Sequence, residues 1–122
     1  MTTFGIEVVL KGRGDAVTER VTVPHGEPAS WNEAAVRDVL VEMLRAIDRA
    51  QDPGAPADRP VTLQGFSWIV EPIDGRVVIA IEIPLGAAVA GPFDANQAQL
   101  DAAITRALKL ERGLSGSAQT VH

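Results

Sequence analysis

Two glutamates sit where acid–base chemistry would want them. Glu7, in GIEVV, and Glu82, in AIEIP, each interrupt an apolar run, and strand alternation puts both on one face. If the strands that carry them were neighbours, the carboxylates would approach and drive their pKa values apart, as an acid–base pair does. The plainer reading makes both the wet side of alternating strands, beside Arg20 or Lys11. His25 precedes Gly26 and lies just ahead of a helix. It could titrate near neutral pH and hold an anion against that helix start, or be an ordinary loop residue. The third group is aromatic and apolar. Trp68 and Val70 would floor a pocket between sheet and helices, with His25, Trp31, Glu71 and the small-residue stretch 86–92 at its mouth.

Other chemistries lack their residues. There is no cysteine, which removes disulfides, thiolate nucleophiles and cysteine metal sites. Two histidines, one of them the last residue, form no metal-binding spacing, and no G-x-S-x-G elbow is present. Gly12-x-Gly14 follows a strand but precedes another strand, so no helix N-terminus stands there to cradle phosphate. Arg13-Gly14-Asp15 matches the integrin-ligand tripeptide in letters alone. No catalytic residue, metal or cofactor is assigned, and no motif of a known family is present.

The totals narrow the partners. A chain of 122 residues, 46% hydrophobic and 22% charged, has the composition of one globular domain. Its net charge of −5 would repel nucleic-acid phosphates, and its 11 Lys and Arg are scattered. No run approaches the ~18 apolar residues of a membrane span, and the first ten residues lack the pattern of a signal peptide. A cytoplasmic protein is expected.

Hydrophobic periodicity supplies the elements that must position these residues. Phe4, Ile6, Val8 and Leu10 alternate with Gly5, Glu7, Val9 and Lys11, and Val17 to Val23 alternates again after a Gly12–Asp15 turn, with Glu19 breaking its apolar side. Ser30-x-x-Glu33 reads as a capping box for a helix from Trp31 to about Ala50, whose stripe is Val36, Val39, Leu40, Met43, Leu44 and Ile47. Residues 51–60, with three prolines, form a loop. A second hairpin spans Val61 to Leu85 and turns at Asp74-Gly75. Its second arm, Arg76 to Ile83, is apolar on both parities, the mark of a strand covered on both sides or central in its sheet. Residues 86–92 could hold a short fifth strand. Asp94-x-x-Gln97 caps a weaker helix to about Arg112, and 113–122 is expected to be a flexible tail. The two halves repeat strand, strand, helix, as an internal duplication or recurring turns and caps would produce.

Gly65 decides where the aromatics of the third strand point. A bulge there sends Phe66, Trp68 and Val70 into the core; without one they form a ridge on the open face. That outer face carries Val9, Val78 and Ala80 among Glu7, Lys11, Thr18, Arg20, Thr22 and Glu82: an apolar centre with a charged rim. The expected fold is α+β, ββαββα, with a four-stranded, possibly five-stranded, antiparallel sheet and two helices on one face. The expected function is a non-catalytic interaction module, a homodimer or an accessory subunit of a larger assembly. The alternative is a small ligand-binding protein or enzyme that takes an apolar molecule. Candidate binding residues are His25, Trp31, Phe66, Trp68, Glu71, Glu7 and Glu82.

Overall fold

A computed structural model describes residues 1–54, 56 and 61–116, with side chains as far as residue 110. The elements run β1 (Thr2–Leu10), β2 (Ala16–Val23), a 3-10 turn (Pro28–Ser30), α1 (Glu33–Gln51), β3 (Ser67–Ile73), β4 (Arg76–Ile83), β5 (Gly86–Phe93) and α2 (Gln97–Gly116). The expected α+β architecture is present, and the sheet has five antiparallel strands in the order β2-β1-β5-β4-β3.

Hydrophobic patterning explains most of this. Phe4, Ile6, Val8 and Leu10 of β1 are buried, as are all six residues of the α1 stripe. Leu100, Ala103, Ile104 and Ala107 of α2 meet them in one core. At the β3–β4 turn Asp74 and Gly75 have φ of 48° and 80°, the left-handed pair that a two-residue hairpin loop demands. Glu19, the break in β2's apolar side, hydrogen-bonds and ion-pairs with Arg49 of α1.

Both expected helix caps move by two residues. Pro28 opens a 3-10 turn through Ser30, whose Oγ donates to the Glu27 carbonyl. Asn32 caps α1 instead, its Oδ1 accepting from Ala35 N at 3.0 Å. Asn96, in place of Asp94, accepts from Gln99 N at 3.0 Å. α2 runs on to Gly116, so helix replaces the first residues of the expected tail; 117–122, like most of the 55–60 loop, lie outside the described residues.

The fifth strand is a full one and the centre of the sheet. Pro84-Leu85 is a tight turn, after which the chain returns between β4 and β1. Gly86 makes this insertion possible, because a Cβ there would collide with the Val9 carbonyl oxygen. Pro24, by contrast, ends its strand and leads away to a helix, so the two halves do not run in parallel. The bulge falls in β5 and not at Gly65. Val77 pairs Phe93 while Ile79 pairs Ala90, so Gly91 and Pro92 together oppose Val78. The extra residue reverses the parity at the end of β5 and turns Phe93 into the core.

Candidate functional site

The sheet separates the candidate residues into groups that do not share a site. Glu7 lies on β1 and Glu82 on β4, and β5 runs between them: Glu7 pairs Val89 and Glu82 pairs Ala87. The two carboxylates are thus two strands and two register positions apart, which removes the acid–base pairing. Both remain on one exposed face.

His25 is taken up by the fold. Its ring Nε2 lies 2.7 Å from Asp38 Oδ2 on α1. A carboxylate already on that nitrogen works against an anion there. Around it, Thr2 Oγ1 donates to the Gly26 carbonyl at 2.6 Å, and Trp31 Nε1 donates to the same oxygen at 2.8 Å. Residues 24–31 are clasped to β1 and α1 by these bonds.

Trp31 is a core residue, only 4% exposed. It meets Phe4 and Phe93 edge to face, with ring centroids 6.3 and 5.0 Å away, and Phe4 and Phe93 close the triangle at 5.1 Å. Sequence reasoning did not bring these three together. Inward parity marks Phe4, but Phe93 reaches the cluster only through the Gly91-Pro92 bulge.

β3 begins at Ser67, and Gly65 precedes it in left-handed backbone, φ 75°. Within β3 the expected side chains nevertheless face inward, Val70 buried and Trp68 half-buried against the core; Phe66, ahead of the strand, packs partly against the core and partly lines a groove at the end of the sheet. No aromatic ridge stands on the open face. Glu71, on the opposite parity of β3, points away from Trp68 and Val70. With Trp31 and Val70 in the core, Glu71 on the other face and 86–92 in a strand, these residues do not line one pocket; a separate depression of about 290 Å³ lies where α1 meets the end of the sheet, between Leu44, Ile47, Val61, Ile83 and Leu85.

What the fold leaves open is the outer face of the sheet. Cross-strand registers lay it out in rows. One row reads Ala16, Val9, Ala87, Glu82, Ser67; the next Thr18, Glu7, Val89, Ala80, Ile69; the next Arg20, Gly5, the bulge, Val78, Glu71. Val9 and Ile69 are 44% and 49% exposed, large apolar groups left in water. Val78, Ala80, Ala87 and Val89 lie half-exposed between them. Glu7, Lys11, Arg20, Glu71, Arg76 and Glu82 supply the charges.

Comparison with known proteins returns no match. No family model, no curated protein and no solved structure corresponds to the chain. An open groove of about 710 Å³ at one end of this face is lined by Val9, Lys11, Phe66, Glu82 and Ala87 among others. A second depression, of about 290 Å³, continues it over Ser67, Ile69 and Ala80. Among the described residues no group of three or more His, Asp or Glu could hold a metal ion, and no helix is long and apolar enough to cross a membrane.

Proposed function

We propose that the protein is a non-catalytic interaction module that pairs with a second copy of itself through the uncovered face of its sheet. One observation carries this. β4 is apolar on both parities, yet the helices cover only one of its faces, leaving Val78 and Ala80 half-exposed beside Val89, Ile69 and Val9. A one-sided antiparallel sheet ordinarily turns polar side chains to water. A contiguous aliphatic patch ringed by charge is how a protein interface looks from one side.

The size of the face supports the reading. Five strands at ~4.8 Å spacing and about eight residues at ~3.4 Å rise span roughly 24 by 27 Å. That is on the order of 600 Å² in projection, near the ~800 Å² per partner of a standard interface. Light scattering at tens of micromolar is the test, with twice the monomer mass expected. A monomer mass up to millimolar concentration would overturn self-association.

A further inference from the structure

The pattern of charge on the open face selects one way for two copies to meet. We propose that they stack sheet on sheet about a two-fold axis running along β5, with Arg20 of each copy paired to Glu71 of the other. This rests on the self-pairing reading above and adds its geometry.

Three observations lead to it. First, β5 is the central strand and its outward residues are small, Ala87, Val89 and the Gly91-Pro92 bulge, with no long or charged side chain, so two sheets can approach closely along it. Second, Arg20 and Glu71 occupy the two ends of a single cross-strand row. Arg20 is registered to Gly5 on the β2 edge, and Glu71 to Val78 on the β3 edge. A two-fold axis along the middle strand exchanges the two ends of every row, which brings each Arg20 over a Glu71 and makes the pair twice. Third, both side chains are exposed, and neither enters an ion pair among the described residues. An isologous interface needs this kind of self-complementarity. The same operation brings Lys11, one register step past Val9, near Glu82 of the second copy. Glu7 and Arg76 face the neutral Ala80 and Thr3, so edge pairing of Arg20 with Glu71 supplies most of the charge recognition.

A test follows from the distance between the two residues. Four strand spacings separate Arg20 from Glu71 within one chain, about 19 Å, so they cannot pair internally. Arg20→Glu and Glu71→Arg each place like charges opposite one another twice per dimer. Each variant alone should dimerise at least tenfold more weakly than wild type in sedimentation equilibrium. Mixing the two variants should restore association, because both contacts in the mixed dimer are then of opposite sign; the double variant Arg20→Glu with Glu71→Arg should also recover. Circular dichroism and Tm checks that each variant folds. Single variants that dimerise as wild type, or a mixture that stays as weak as its components, would overturn the axis. Val89→Arg separates the two claims. If it dissociates the dimer while the charge variants do not, the face is the interface and the axis is wrong. If it leaves the dimer intact, the face itself is wrong. A wild-type chain that is monomeric throughout overturns both.

Discussion

At the scale of single residues, the fold gives structural work to side chains whose types suggested chemistry. His25 is tied to Asp38, Trp31 to the Gly26 carbonyl and two phenylalanines, and Glu19 to Arg49. That carboxylate raises the Arg49 pKa further above its ordinary range. A similar tie joins the helices, where Arg106 of α2 reaches Glu33 in the first turn of α1. The Arg106 hydrogen bond holds the Glu33 carboxyl below the usual carboxylate range. A folded value below the unfolded one gives stability that is present above the unfolded value and lost as pH falls through the folded one. Arg106→Gln should therefore lower Tm slightly at pH 7, the pair being well exposed and screened. The difference from wild type should vanish as acid titrates Glu33. Thermal melts from pH 7 to about 2.5 would show it, and a difference that does not change with pH would exclude the ionic account.

Whole elements were largely legible, and the reason is periodicity. Buried residues recur at helical spacing in α1 and at alternate positions in β1 and β4, and those patterns survive any detail of packing. Caps are less legible, because several cap-forming side chains sit within three residues and only backbone geometry selects among them. Pro28 commits residues 28–30 to a 3-10 turn, which hands the cap to Asn32. Asn32→Ala should cost about 1 kcal/mol in urea unfolding. Ser30→Ala should stay within about 0.5 kcal/mol. Equal losses at the two positions would restore the capping box. β5 was the least legible element, because Ala87, Ala88, Ala90 and Gly91 have little strand preference of their own. Ala88 and Ala90, fully buried on the helix side, serve because small residues there let α1 approach the middle of the sheet.

At the scale of the molecule, the two helices cover one side of a sheet whose other side is also aliphatic at its centre. Docking of a second copy there, as proposed, would link folding to association, since a partner that binds only the native chain raises its stability by mass action. Apparent Tm should then climb with protein concentration, by roughly 3 °C per tenfold for a domain of this size. Scanning calorimetry over two decades of concentration would record it, and a constant Tm in a chain of dimer mass would place its interface outside the cooperative unit.

Composition and hydrophobic rhythm alone determined the α+β class, the two helices with their buried stripes, the β1–β2 hairpin and the Asp74-Gly75 turn, since each depends on neighbours a few residues away. Strand order, the insertion of β5 between β1 and β4, the separation of Glu7 from Glu82 and the meeting of Phe4, Trp31 and Phe93 were decided only in three dimensions. These are long-range pairings, and they hinge on the room Gly86 leaves beside a carbonyl and on one extra residue at Gly91-Pro92 that reverses a strand's parity.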